Sequence, residues 1–546
     1  MAKTNKKITI DKTVNVIVVG AGAAGLFTAL SLADQHQVLV LSNKKLGGIC
    51  ASCWAQGGIA AAVGPEDAPK KHQEDTLKAG AGTTSSAVAR QLTEAAPHYI
   101  QILDKIGVAF EKNAEGHYKL SREACHGQRR VLKVKAGDGF GKELMRTLVE
   151  AVSQHPNIEV LEEVDAEKLL RATDERTGDV QGVLVKRQKD SRKLVLLAKA
   201  VVLATGGIGG LYEYTTNPIG AVGRGVAMAA RAGAVLADLE FVQFHPTALD
   251  IGEDPAPLAT EALRGEGAFL VNSRGERFMQ KNHKMAELAP RDVVSRGIFD
   301  QIQKGQRVYL DCRHILVENF PALLEACARH NLDPKIELIP VMPATHYHMG
   351  GIATDLQGRT SLSGLWACGE VAATGLHGAN RLASNSLMEA IVMGGMAAED
   401  INIYLEHKKD PVEVSADQLK FLPESTWLEA CVATIRHLMS EKVGVIRNGR
   451  DLEQSMVDFY DLEKLAEPLD AAVADMALMA RLITTTAYLR KESRGGHCRQ
   501  DYPTAEEQWQ HRTFFTLKKA NAELEALLIA RKKVQELNER PQREIA

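Results

Sequence analysis

The tightest constraint on this chain is a glycine turn set between a buried strand and a helix. Val14-Asn-Val-Ile-Val-Val19 is almost wholly apolar, as expected of a strand covered on both faces. It runs into Gly20-Ala-Gly22-Ala23-Ala24-Gly25 and then into a helical stretch through Leu32, after which Gln37-Val-Leu-Val-Leu41 supplies a second strand. Together these segments make a βαβ unit whose first turn reads G-x-G-x-x-G. Glycine there permits a tight turn and lets a pyrophosphate approach the helix N-terminus. Such a motif recurs by chance, and its place between strand and helix is what gives it weight. In NAD-binding units an acidic residue closes the second strand and holds the adenosine ribose. Here that place is Ser42, followed by Asn43, Lys44 and Lys45, which argues against NAD.

A chain of 546 residues exceeds what one hydrophobic core organises, so two or three domains are expected. Ala200-Val-Val-Leu-Ala-Thr-Gly-Gly207 and Gly364-Leu-Trp-Ala-Cys-Gly-Glu370 look like further strands of the first sheet. Between them, from about 240 to 347, the chain turns to charged loops and short elements. The simplest architecture is a discontinuous nucleotide domain (1–238 and 348–410), a capping domain (239–347) and a C-terminal helical domain (411–546). Val473, Met476, Ala480, Ile483 and Ala487 recur at helical spacing. A last helix is expected from Ala505 to about Glu539, with Trp509, Phe514, Leu517, Leu524, Leu527 and Leu528 as its apolar positions and residues 540–546 frayed.

Four side chains in the middle of the chain suggest what the cavity holds. His245, Arg291, His346 and Arg381 each sit in a distinct segment, and two arginines with two histidines would suit a small dianion. A net charge of −3 gives no general attraction to nucleic acid or anionic lipid, and no apolar run approaches membrane-spanning length. The basic N-terminus lacks a signal-peptide core, and eight cysteines in so long a chain do not make a disulfide framework, so a reducing cytoplasm is expected. Cys50-Ala-Ser-Cys53 is open to reading as a redox pair, but packing thiols are the favoured reading because no second pair or thioredoxin-like context accompanies it. His346-Tyr-His348 has no carboxylates nearby to complete a metal site, and no metal is expected.

Several further segments, in order, carry a family resemblance. Cys53-Trp-Ala-Gln56-Gly57-Gly58-Ile-Ala60, Ala204-Thr-Gly-Gly207, Phe241-Val-Gln-Phe-His-Pro-Thr-Ala248, Glu261-Ala-Leu-Arg264-Gly-Glu-Gly267, His377-Gly-Ala-Asn-Arg-Leu-Ala-Ser-Asn-Ser-Leu387 and Glu492-Ser-Arg-Gly-Gly-His497 resemble the succinate dehydrogenase/fumarate reductase flavoprotein family. The resemblance runs from about residue 12 to about 505. It implies an α/β FAD-binding, Rossmann-like domain with an inserted α+β capping domain and a C-terminal helical bundle domain. Covalent members carry a flavin-linking His five residues before the Gln of A-Q-G-G; here that place is Ala51, so FAD is expected to bind non-covalently. Leu120-Ser-Arg122-Glu123, ahead of His126 and Arg129-Arg130, is similar to the branch that oxidises L-aspartate, in which the glutamate meets the substrate ammonium.

By that resemblance Arg381 and His346 clamp one carboxylate, and His245 and Thr260 hold the other. Arg291 is the proton-transfer residue, and Glu261 and Arg264 form its relay; an alternative is that Arg291 acts mainly as an electrostatic clamp. For the cofactor, the pyrophosphate falls to Gly20, Gly22, Ala23, Ala24 and Gly25 of the fingerprint. Ser42 stands at the ribose place, and Lys44, Ser52, Gln56, Gly57 and Gly58 lie near the phosphates and ring. Asp165 and Ala166 are weaker candidates toward adenine. Glu370 is assigned to the hydroxyls, and Ser386 and Leu387 to the pyrimidine edge. Arg224 replaces the Asp of the family's T-G-D-G, which leaves it to meet a phosphate or face solvent. Arg494 and His497 either brace the cap or touch substrate charge. The implied reaction moves a hydride from L-aspartate to flavin N5, giving iminoaspartate, with reoxidation by O2 (yielding H2O2) or by fumarate. The implied role is the first step of de novo NAD synthesis, with quinolinate synthase as candidate partner. The competing readings are a soluble fumarate reductase, a dehydrogenase flavoprotein subunit, and a flavin-binding redox sensor working through Cys50 and Cys53.

Overall fold

Alternate residues of the first strand enter two different cores. Val16 and Val18 pack with Leu26 and Phe27 of the fingerprint helix Ala23–Ala33 and with helices Ser86–Lys105 and Asn385–Glu406, while Ile17 and Val19 pack with Met476, Ala480 and Ile483 of helix Ala471–Leu489. A strand covered on both faces needs no polar positions, which is why residues 14–19 read as a nearly unbroken apolar run. The computed structural model describes residues 10–135, 139–172, 178–411 and 428–543.

Five parallel strands lie in the order Ile158–Leu161, Val38–Leu41, Lys12–Val19, Lys193–Leu203 and Leu365–Ala367. The fourth of these forks. Its second half pairs with Leu365–Ala367, while its first half pairs antiparallel with Val180–Arg187, which pairs in turn with Val164–Arg171. The strands foreseen near Ala200 and Gly364 are therefore direct neighbours, and the chain between them leaves the sheet and returns.

That excursion holds a second, antiparallel sheet in the order Val242–Leu249, Ile339–His348, Val308–Asp311, Phe269–Asn272. Leu270, Ile298, Leu310, Ile339 and Val341 give this cap a core of its own. A three-stranded sheet of Ile59–Ala60, Val131–Leu132 and Leu120–Ser121 ties the segment after Gly58 to the segment before Glu123.

Helices Glu429–Lys442, Gly449–Ala466 and Ala471–Leu489 cover one face of the large sheet. Val473, Met476, Ala480, Ile483 and Ala487 are all buried there, as their spacing requires. The boundary expected near 410 adjoins residues 412–427, which lie outside the described residues.

The last helix departs from the sequence reading. It spans Leu517–Arg543, not 505–539. Phe514–Phe515 instead extends as a strand against Leu236–Ala237, and the Thr513 amide donates to Asp238 at 2.9 Å. Thr516 Oγ1 accepts the Lys519 amide, so the helix starts at a capped position. Tertiary pairing outweighs local helix propensity over 505–516, and Phe514 and Leu528 are exposed. The helix continues past the expected end to Arg543; residues 544–546 lie outside the described residues. Among the described residues, no helix is long and apolar enough to cross a membrane.

Gly20 has φ +116°, and a Cβ there would lie 2.2 Å from the Ala204 carbonyl oxygen of the neighbouring strand. Gly20→Ala is expected to lower stability by about 2 kcal/mol or more, through strain and that clash together. Denaturant unfolding against the parent chain measures it, and an unshifted midpoint would refute the close approach.

Candidate active site

A cavity of about 780 Å³ opens where the parallel strands end and the cap begins. Gly20, Gly22, Ala23 and Ala24, then Ser42 and Lys44, then Ser52 and Gln56 to Gly58 line one part of it. Glu123, His245, Thr260, Glu261, Arg291, His346, Glu370, Arg381, Ser386 and Leu387 line the rest. Gly25, Arg264, Asp165 and Ala166 do not line it.

The fingerprint helix has Gly22 at its N-cap with no side chain of its own to cap it; Ser52 Oγ accepts the Ala23 amide at 3.2 Å instead. The helix N-terminus is thus aimed at the cavity, where unpaired first-turn amides suit a phosphate. Ser42 Oγ donates to the Lys44 carbonyl at 2.7 Å, closing the turn that holds Lys44 at the cavity wall. Glu370 is half-buried, accepts the His348 amide at 2.9 Å, and is pushed up to about 7 by desolvation. Amides, a lysine and a carboxylate acceptor form the donor and acceptor set that a pyrophosphate and ribityl hydroxyls need. The residues fit FAD.

Asp165, expected toward adenine, faces a second cavity, where it pairs with Arg224 at 3.2 Å. Gln188 bridges Asp165 to the Asn43 carbonyl, so Asp165 stands one side chain away from the first cavity. The chain that lacks the usual Asp at 224 has an acid opposite the Arg, so within the protein Arg224 pairs with Asp165. Ala166 pairs by its backbone with Val185 in the strand ladder.

The cap end is dominated by buried cations. His245 and His346 come from neighbouring strands, with ring centroids 5.1 Å apart. The Thr247 amide donates to His245 Nδ1 at 3.2 Å, which places the imidazole proton on Nε2; that atom is buried without a partner. Burial, then Arg291, hold His245 well below 6.5, and burial, then Arg291 and Arg381, do the same for His346. His346 Nδ1 faces Thr216 Oγ1 at 2.8 Å.

Arg291 opens the helix Arg291–Gln303, where the helix dipole disfavours a cation. Two groups hold it there: Glu261 accepts from its Nε at 2.6 Å and Gln243 from its NH1 at 3.1 Å. Burial opposes the charge on Glu261, yet Arg291 and Arg264 keep its carboxyl below the ordinary range. Arg264 lies buried behind it, 3.9 Å away, donating to the Glu287 carbonyl. Arg381 lies over the Tyr347 ring at 4.7 Å and donates to Ser386 at 3.2 Å, while its Nε has no partner. Burial and then Arg291 pull it down to about 10. Thr260 makes no capping bond to the short helix it precedes.

Glu123 reaches this cluster through the three-stranded sheet. Its Oε2 accepts from Ser384 Oγ at 2.8 Å, and a Cβ at Gly57 would sit 2.3 Å from its Oε1. A side chain at 57 would have to displace the carboxylate from this position. His126, bonded to the Ala383 carbonyl at 2.9 Å, fixes the same loop beside Ser384.

Three contributors escaped the sequence reading. Gln243 donates to Asn380 and to the Arg381 carbonyl while accepting from Arg291, linking the two arginines. Strand alternation offered a signal, since Gln243, His245 and Thr247 are two apart and all buried. Ser384 holds a left-handed conformation, φ 60°, which no local pattern announces. Tyr347 is anchored by Glu389, which also accepts from His377 at 2.8 Å. Arg494 and His497 belong to a brace: Arg494 pairs with Glu492, and His497 faces Arg447 NH1 at 2.9 Å.

Neutral buried histidines protonate more readily once unfolded, so the stability they contribute is present above about 6.5 and lost as pH falls below it. In ligand-free protein with isotopically labelled histidine, His245 and His346 are expected to keep neutral-ring NMR shifts down to pH 5.5. A ring titrating near 6.5 would contradict their desolvation.

An FAD-binding domain model matches residues 15–387, and a fumarate reductase flavoprotein C-terminal model matches residues 433–543. An L-aspartate oxidase of Mesorhizobium japonicum is 45% identical over 89% of this chain and 91% of its own. That of Caulobacter vibrioides is 44% identical over 94% and 98%. Among solved structures, a chain of E. coli quinol fumarate reductase superposes with a TM-score of 0.85 at 29% identity, covering 93% of this chain and 95% of that one. The chain belongs to the L-aspartate oxidase family of FAD-binding flavoproteins.

Proposed function

We propose that this chain oxidises L-aspartate to iminoaspartate with non-covalently held FAD. The observation that carries this reading is the Glu123 carboxylate, placed at the edge of a pocket otherwise lined by Arg291, Arg381, His245 and His346. Two carboxylates match the basic groups, and an acid beside them matches an ammonium. When bound, FAD would supply the two-electron acceptor for the substrate hydride, with O2 (giving H2O2) or fumarate as the final acceptor. Ala51 lines the cavity and has no atom able to form a covalent link to it.

The side chains do the rest. Arg381, with His346, holds one carboxylate, and its unpaired Nε supplies a donor for it. His245 Nε2–H and the Thr260 hydroxyl hold the other. Arg291 would stand nearest the reacting carbons, and its ion pair with Glu261, backed by Arg264, would relay the proton away from them. Glu123, bonded to Ser384, accepts from the ammonium and fixes which face of Cα is presented. Succinate would leave that carboxylate without its cation.

The product feeds de novo NAD synthesis, and quinolinate synthase is the partner that would consume it. A reducing cytoplasm suits the eight free cysteines. A fumarate reductase reading shares the dicarboxylate clamp but gives Glu123 no role.

Anaerobic mixing separates the two: aspartate should bleach the flavin and succinate should not, and bleaching by succinate alone would reverse the assignment. Glu123→Ala should raise the aspartate KM about ten- to a hundredfold, the size of a lost charged hydrogen bond, and leave the fumarate KM nearly unchanged. Equal losses for both ligands would remove the ammonium role. Arg291→Leu should reduce kcat about a thousandfold while the protein stays yellow; a colourless product would point to cofactor loss.

A further inference from the structure

The Cys50 and Cys53 sulfurs lie 3.0 Å apart on the wall of the main cavity, partly exposed to it. Both cysteines pack against the apolar core, as the sequence reading favours, and their sulfurs also meet each other. The short 3-10 turn Ala51–Trp54 brings the two side chains to one side, and Ser52 between them caps the fingerprint helix. The segment is held from its far side too: Gly141 donates to the Ala55 carbonyl at 2.8 Å, and a Cβ at Gly141 would lie 2.1 Å from the Ser52 carbonyl. We propose that Cys50 and Cys53 are a hydroperoxide-reactive dithiol, a modification site that closes to an intramolecular disulfide beside the bound cofactor.

The two thiols have distinct parts. A hydrogen bond from Cys50 pushes Cys53 down to about 6, and the same contact pushes Cys50 up. Cys53, the less enclosed of the two and the one with Lys142 near it, is assigned the attack, and Cys50 the resolving step. Cys312 and Cys327 are buried, and burial pushes them up to about 12 and 11, so they compete poorly; Cys125 is exposed and serves as the internal comparison. In the first step the Cys53 thiolate attacks one oxygen of H2O2: an S–O bond forms, the O–O bond breaks, and the leaving hydroxide takes a proton to become water. In the second, Cys50 attacks the sulfenic sulfur: the S–S bond forms, the S–O bond breaks, and the hydroxyl leaves as water with the Cys50 proton. Two thiols and one peroxide give one disulfide and two waters.

Closing the bond draws the sulfurs from 3.0 Å to about 2.05 Å and twists the turn that carries Ser52. The Ser52 bond to the Ala23 amide is then displaced, and the cofactor is held less firmly. That the peroxide comes from the protein's own turnover rests on the oxidase reading; the reactivity of the pair does not.

The test treats holoenzyme with H2O2, alkylates the remaining thiols and maps peptides by mass. A Cys50–Cys53 cross-link should precede oxidation of any other cysteine and be reversed by dithiothreitol. Cys50→Ser should leave a Cys53 sulfenic acid that dimedone traps, and Cys53→Ser should abolish the reaction at both positions. Oxidation beginning at another cysteine, or dimedone capture at Cys50 in place of Cys53, would overturn the proposal. Flavin fluorescence should show FAD leaving the cross-linked protein severalfold faster, and equal rates would overturn the coupling through Ser52. If added peroxide makes the cross-link but aerobic turnover with aspartate makes none, the oxidase fails as the source and the dithiol stands.

Discussion

Positive charge held away from water is the constraint on which the cavity depends. Arg264, Arg291 and Arg381 meet in the cap end with Glu261 and Glu123 as the acids on hand. Arg381 is pulled down to about 10, and one of its nitrogens is buried without a partner. Leaving a buried donor unpaired costs about 1–3 kcal/mol, more when charged, and a bound dicarboxylate removes that penalty. The pocket thus carries more positive charge than the acids beside it balance. Its neutral histidines follow from the same field, since neighbouring guanidiniums make a further positive charge unfavourable.

Such a cluster survives because its supports are more rigid than its members are unhappy. The cap's own apolar core takes in Leu249 of the strand Val242–Leu249 and Val294 and Ile298 of the helix from Arg291, while Val242 and Phe244 pack into the core of the large sheet. Gln243 ties Arg291 to the backbone at Arg381, across the seam between cap and sheet. Arg490 fixes the start of that strand from the helical side, through Glu240 at 2.6 Å and by lying over the Phe241 ring at 4.8 Å. Three domains therefore converge on one strand, and small shifts in any of them would reach both arginines.

The parts legible in sequence were those with local or periodic physical causes. A strand buried on both faces cannot avoid an apolar run, and a turn against the Ala204 carbonyl cannot avoid glycine at 20. His245, Arg291, His346 and Arg381 stood out because their types fit only a short list of roles. What stayed hidden was pairing between distant segments. Asp165 and Arg224 are 59 residues apart and choose each other because a helix N-terminus happens to face a strand. Phe514–Phe515 is a strand only because Leu236–Ala237 offers an edge. Gln243 looked ordinary among its apolar neighbours, since a glutamine declares its partners only in three dimensions.

The placement of Glu123 explains how one pocket can serve both an amino acid and an unsaturated diacid. Aspartate brings two carboxylates and an ammonium, so its net charge is one unit less negative than that of fumarate. Placed alone in a basic pocket, the ammonium would weaken binding by like-charge repulsion at low local dielectric. On the proposed assignment Glu123 neutralises it, and Arg291, Arg381 and the histidines then face two carboxylates in either case. The Ser384 hydroxyl donates to Glu123 at 2.8 Å, which gives the carboxylate a partner within the protein itself. A hydroxyl supports an anion without repelling a cation, which a lysine in its place could not do. The selectivity of the pocket therefore rests on a weak neutral donor at 384 as much as on the acid at 123.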